Sequence, residues 1–329
     1  MSSPMSRRAF ITSVSSAAAV GALSRRGVAG LRAAAPTTKV VIVRTSDRRK
    51  GVSEVIRLLH APTPAGKDVV IKPNFNTADP APGSTHPDTL RQLLADLRAG
   101  GARSLTIGER SGPPVTRKVM EEKGIFDLAR EMNASVVNFE DLADADWVPV
   151  TPPGTHWKSQ LYIPRLVASA PYMVSTCCLK THGFGGVYSM SIKLAVGMTP
   201  KRLMREMHGS PDMRRMIAEI NAGYRPDLVV MDGVEAFVDG GPSNGTRVAA
   251  NVMVGGTDRI AVDAVGLAIL KELGSNQAIM GRKIFEQEQL QRAVELGLGV
   301  SSPAQIELVT GDAPSREFAA RIKARLADG

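Results

Sequence analysis

The chain is predicted to be α/β, with a largely parallel or mixed central sheet covered by helices on both faces. Two observations predict it. From Lys39 onward, short β-branched runs alternate with segments of helical periodicity, the signature of βα units. The runs Val69-Val70-Ile71 and Leu228-Val229-Val230-Met231 are apolar without alternation, as expected of central strands covered on both faces.

Taken in order, a strand at Val40–Arg44 is followed by a helix at Val52–Leu59, and the apolar run Asp68–Lys72 by a helix at Pro87–Ala99. Proline suits the first helical turn because its missing N–H would have no partner there. A strand at Ser104–Gly108 leads into helices at Thr116–Glu122 and Phe126–Glu131, and then come strands at Ser135–Asn138 and Tyr172–Thr176. A helix at Pro211–Ala222 precedes strands at Leu228–Asp232 and Asn251–Gly255. Asp258 reads as the N-cap of a helix at Ile260–Leu273. Within that helix Asp263, between Val262 and Ala264, points toward the core and needs a partner. A helix at Glu286–Leu296, a strand at Gln305–Thr310 and a helix at Ser315–Leu326 complete the pattern. With no repeat, low-complexity tract or linker, residues 37–329 are expected to form a single domain.

Composition excludes more than it assigns. The chain has 329 residues, 43% of them hydrophobic, which supports a sizeable core. The net charge of +9 invites a nucleic-acid reading, but Arg7, Arg8, Arg25, Arg26 and Arg32 all precede Pro36 with no acid among them, which leaves an excess of only +4 for the rest. No basic stripe interleaved with aromatics occurs, so no nucleic-acid partner is expected.

The first 35 residues read instead as a signal peptide. Ser6-Arg7-Arg8-Ala9-Phe10-Ile11 precedes the apolar stretch Thr12–Leu23, the order of a twin-arginine export signal. That stretch is shorter than the roughly 20 residues a bilayer span needs, so no permanent membrane span is expected. Cleavage is expected near Ala33-Ala34-Ala35, a residue or two before the junction with Pro36. Export would involve the twin-arginine translocase as a partner and deliver the protein to the periplasm. Because this route carries folded proteins, it raises the prospect of a bound cofactor without naming one. Cys177 and Cys178 are adjacent and lack zinc or iron–sulfur spacing.

Four stretches could carry chemistry. The first is Lys72-Pro73-Asn74 at the end of an apolar strand, with His86 at a helix start, where helix N–H groups suit an anion. The second is Lys180-Thr181-His182-Gly183-Phe184-Gly185-Gly186 followed by Lys193, where glycines allow close backbone approach and Lys180, Lys193 and His182 supply cations and a proton-transfer group. It matches neither a Walker loop nor a dinucleotide fingerprint. The third is Asp232 with Glu235, followed by Gly240 and Gly241. Asp232 could hold a metal, together with Glu235, or cap the turn, or pair with Lys180 or Lys193. The fourth, Asp258 to Asp263, is read as a cap and a buried carboxylate. Met204, Met207, Met213 and Met216 fall at helical spacing and are read as core, not copper ligands.

Val70-Ile71-Lys72-Pro73-Asn74, Leu179-Lys180-Thr181-His182-Gly183, Lys193, Pro226-Asp227-Leu228 with Asp232-Gly233, Gly240-Gly241-Pro242 and Asp258 through Asp263 together resemble domain-of-unknown-function family 362. The resemblance covers nearly all of the mature chain. It implies no established activity, although several members are joined to ferredoxin-like iron–sulfur modules. Leu194 stands where an asparagine usually follows the lysine, and no cysteine-rich module is attached, which disfavours an iron–sulfur cluster here.

The leading expectation is an exported enzyme acting on a small anionic metabolite. Lys72, Asn74, His86, Lys193 and the glycines Gly183, Gly185, Gly186, Gly240 and Gly241 would bind it, with His182, Lys180 and Asp232 as catalytic groups. The alternative is a non-catalytic periplasmic binding or redox-accessory protein. The sequence leaves the cofactor unknown and a metal ion open.

Overall fold

In the computed structural model, residues 37–328 are described, so the export signal predicted for residues 1–35 lies outside them. The strands are β1 Thr38–Arg44, β2 Asp68–Lys72, β3 Ser104–Glu109, β4 Ser135–Asn138, β5 Trp147–Val150, β6 Leu161–Pro164, β7 Tyr172–His182, β8 Val187–Tyr188, β9 Leu228–Gly240, β10 Gly245–Gly256 and β11 Ile306–Val309. All except the β5–β6 hairpin join one mixed nine-stranded sheet, in the order β11-β1-β10-β9-β7-β2-β3-β4 with β8 paired to β7.

Strands β9, β7, β2, β3 and β4 are mutually parallel, while β10 runs antiparallel to both β9 and β1. The fold class is therefore the one the sequence predicts, and the two unalternating runs occupy interior strands. Successive residues face opposite sides of a strand. Val40 and Ile42 accordingly belong to the core beneath helix Arg259–Glu272, whereas Val41 and Val43 pack on the other face with helices Arg48–Leu59 and Pro87–Ala99.

Caps end the helices where the sequence indicates. Asp258 accepts from the N–H groups of Ile260 at 2.8 Å and Ala261 at 3.0 Å. Asp263 finds its partners outside its own helix, accepting from the backbone of Ser191 at 2.7 Å and Ile192 at 2.9 Å. Those two N–H groups open the single-turn helix Ser191–Leu194, so a buried carboxylate holds the turn that carries Lys193. Met207, Met213 and Met216 are buried in the core, as read.

Strands β7, β9 and β10 run further than predicted. β7 continues past Thr176 through Lys180, Thr181 and His182, and β8 returns along it. Lys180, Thr181 and His182 are polar, yet all three are buried. β9 extends past Asp232 into a hairpin with β10, whose turn lies against the end of β7 through the bond from Gly183 N–H to Gly241 C=O at 3.0 Å.

Gly241 has φ +78, and a β-carbon there would overlap the Thr181 carbonyl. Gly241→Ala is expected to destabilise by about 3 kcal/mol, combining left-handed strain with a backbone clash. Gly66 (φ +70) has open space around it, and Gly66→Ala should cost only about 1 kcal/mol. Chemical denaturation of the two variants checks the contrast.

Candidate functional site

The parallel strands end at one edge of the sheet, and there Lys72 closes β2, Glu109 closes β3 and His182 closes β7. A cavity of about 760 Å³ opens at this edge, and its lining includes Lys72, Asn74, Glu109, Arg110, His182 and Lys193. Ligands of open α/β sheets bind beyond the carboxyl ends of the strands, which is where this cavity lies.

Its charges are buried and unequally compensated. Lys72 and Glu109, each 1% exposed, form an ion pair. Glu109 also accepts from the N–H groups of Phe75 and Arg110, both at 2.7 Å, and Lys72 donates to the Pro73 carbonyl at 2.7 Å. Burial pushes Lys72 down and Glu109 up, and each resists the other's shift. The Arg110 guanidinium is surrounded by carbonyls, those of Thr199 at 2.8 Å, Ser111 at 3.0 Å and Val196. Desolvation lowers it to about 10.

Lys193 is different. It is 8% exposed, lines the cavity, and among the described residues its ammonium has no hydrogen-bond or ion-pair partner. Desolvation, with repulsion from Lys180 and Arg110, brings it down to about 8. His182 lies beside it, for a β-carbon on Gly186 would sit 2.9 Å from both His182 Nδ1 and Lys193 Cε. Glycine at 186 is what lets these two side chains share the wall.

Among the described residues His182 Nδ1 is buried without a partner. Desolvation first, then Lys193 and Lys180, depress the imidazole to about 2, so it is neutral at physiological pH. A folded-state pKa below the ordinary 6.5 means that the unfolded chain binds the extra proton first. The contribution of His182 to stability is therefore present above pH 6.5 and declines as pH falls below it. Nitrogen-15 NMR is expected to show this imidazole neutral across pH 5–8.

Of the residues singled out in the sequence, Lys72, Asn74, His182 and Lys193 are brought together on the cavity wall. Lys180 is buried beside them as a brace, donating to the carbonyls of Gly83 at 2.5 Å and Pro242 at 2.9 Å, with desolvation lowering it to about 8. It joins three segments and lies outside the cavity lining.

The remaining candidates go elsewhere. Asp232 accepts from Arg48 Nε at 2.8 Å, Thr89 Oγ1 at 2.7 Å and Val234 N at 3.1 Å, and pairs with neither Lys180 nor Lys193. Arg48 also reaches Glu235 at 3.1 Å, so a guanidinium occupies the space between the carboxylates proposed for a metal. Among the described residues no three His, Cys, Asp or Glu side chains converge as a metal site would require. His86 caps helix Pro87–Ala99, its Nδ1 accepting from Asp88 N at 3.1 Å. Gly183, Gly240 and Gly241 serve backbone packing between two turns, and Gly185 adopts φ +77 in the bend after β7. Cys177 and Cys178 are free thiols, and only Cys177 lines the cavity.

Sequence reasoning missed Glu109 and Arg110. Their signal was present, since Glu109 ends β3 as Lys72 ends β2 and Arg110 directly follows it, and the strand-end rule applied to Lys72 applies equally there. The distal wall, with Lys201, Met204, Arg205 and His208, had no local signal because it comes from a segment of short turns. Lys201 is bound to Glu140 at 2.6 Å. Among the described residues no helix is long and apolar enough to cross a membrane.

Three comparisons bear on this architecture. A family model described as Domain of unknown function (DUF362) matches residues 69–268, more than half of the chain and the stretch that supplies the cavity. The thylakoid-associated protein sll1697 of Synechocystis sp. is 23% identical over 217 residues, covering 63% of this chain, and the chain spans 64% of that relative's length. The structure of the lactate racemase apoprotein from Thermoanaerobacterium thermosaccharolyticum aligns with TM-score 0.43 and 15% identity, over 87% of this chain and 86% of that one.

Proposed function

The chain belongs to the DUF362 family, and from its cavity we propose an enzyme acting on a small anionic metabolite, with Lys193 as counter-charge and His182 as proton acceptor or donor. One observation carries the reading: among the described residues, the buried Lys193, whose ammonium has no partner, and a buried, unpartnered imidazole nitrogen of His182 meet on one cavity wall. Leaving such groups desolvated and unpaired is unfavourable by several kcal/mol, a cost retained where a ligand completes them. An arriving anion also offsets the Lys193 repulsion that contributes to keeping the imidazole neutral, and so makes His182 a better base. Lys72 with Glu109, and Asn74 beside them, shape the floor, while Asp263 holds the Lys193 turn.

The test is calorimetric titration with inorganic phosphate and a panel of carboxylates, followed by NMR of each bound compound on incubation. Affinity is expected to fall above about pH 8, where Lys193 loses its proton. Conversion of a bound anion supports the enzyme, whereas binding without any chemical change favours the non-catalytic alternative. Absence of anion binding contradicts both.

Export by the twin-arginine route, and with it a periplasmic location, is proposed from Arg7, Arg8 and Phe10. Arg7→Lys combined with Arg8→Lys is expected to leave the full-length chain in the cytoplasm. Fractionation and blotting checks it, and unchanged export overturns it.

A further inference from the structure

We infer that the anion is amphipathic: an organic acid with a single negative head and an apolar acyl or aryl body, in place of a compact polyanion or a three-carbon acid. The inference rests on the anion reading above and adds the class of molecule.

Charge counting sets the head. Of the buried cations lining the cavity, Lys72 is neutralised by Glu109, and Arg110 has its donors committed to carbonyl oxygens. Lys193 is then, among the described residues, the buried lining cation left for a ligand, and one ammonium matches one negative charge. A polyanion would bring further charge into a site without further buried, unpaired cations, and each added charge would be desolvated uncompensated.

Size and lining set the body. A cavity of about 760 Å³ falls in the range that encloses drug-sized ligands. A three-carbon acid seated on Lys193 would leave most of it unfilled. Beyond the charged floor, Met190, Leu194, Val196, Met204 and Pro113 form the apolar part of the walls, alongside the Glu140-paired Lys201 and the exposed Arg205 and His208, and Phe184 stands at the rim. Phe184 is 75% exposed on a glycine-flanked bend and belongs to the cavity lining, so its ring is available to an apolar ligand body. Methionines adapt to an apolar surface of variable shape, and two of them face the body.

Calorimetry on the whole protein with acetate, hexanoate, octanoate and octanol, each below its micellar concentration, tests the inference. Affinity is expected to rise about tenfold for every two methylenes from acetate to octanoate. Phe184→Ser, a change at an exposed position that leaves folding intact, should lower octanoate affinity about fivefold, and octanol should bind at least tenfold more weakly than octanoate. Equal affinities for acetate and octanoate, both lost in Lys193→Met, overturn the amphipathic ligand and leave the anion site standing. Octanol binding as tightly as octanoate, or no binding by any of these carboxylates or by phosphate, overturns the anion site itself and this inference with it. Chain-length dependence that survives both Phe184→Ser and Lys193→Met would put the apolar body elsewhere and also overturn the inference.

Discussion

Lys193→Met is expected to abolish anion binding while making the protein more stable. Lys193 is buried, its ammonium has no partner among the described residues, and its fall from the ordinary 10.5 to about 8 expresses a folded state that disfavours the charge. Methionine follows much of the lysine stem and removes the charge, so stability should rise by about 2 kcal/mol. Loss of the charge-assisted contact should weaken the anion by about a hundredfold, or about 3 kcal/mol. A stability gain coupled to a binding loss is the signature of a functional site. Thermal denaturation and calorimetry on the same preparation read both effects, and a destabilised variant that binds normally would show that Lys193 is structural.

Lys72→Met is expected to have the opposite balance. Lys72 and Glu109 are both buried, and removing one partner strands the other, at a cost of about 3–5 kcal/mol. The stranded carboxylate keeps its two backbone donors, from Phe75 and Arg110, but loses its cation. Burial already raises Glu109, and without Lys72 it rises further. A raised folded-state pKa means that the folded protein takes up the proton before the unfolded chain does, so the variant should regain stability as pH falls from 7 toward 5. Glu109→Gln in the same chain should recover part of the loss at neutral pH, and the double-mutant cycle isolates the pair's coupling. Additive losses would mean that the pair is not coupled.

The fold was largely legible because its signals are local. Val69-Val70-Ile71, the proline at the start of Pro87–Ala99 and the Asp258 cap each act within a few residues, and the elements they mark stand where the pattern predicts. The shortfalls come from context. Lys180, Thr181 and His182 are polar, yet β9 and the Gly241 turn bury them as continuing strand. The β5–β6 hairpin has four-residue strands, one interrupted by Pro149, too short for periodicity to register.

The candidate site was half legible for the same reason. Strand ends identify which residues reach the sheet edge, but not which face they take or what they meet there. Lys72 closes its strand, whereas Asp232, read as the end of its own, is followed by eight more residues of β9. Asp232 meets Arg48 and Thr89, while Lys72 meets Glu109 at the cavity. Asp263 illustrates the converse: its need for a partner could be read from Val262 and Ala264, but its partners lie some seventy residues away in the chain, at Ser191 and Ile192.

A crystal structure of the protein soaked with 4-bromobenzoate, the ligand located by bromine anomalous scattering, tests the central claim most directly. The account predicts the carboxylate within hydrogen-bond distance of Lys193 Nζ and beside the His182 imidazole, with the bromine toward Met204 and Phe184. A carboxylate bound only at surface arginines such as Arg130 or Arg214, with the cavity wall at Lys193 and His182 untouched, would contradict it.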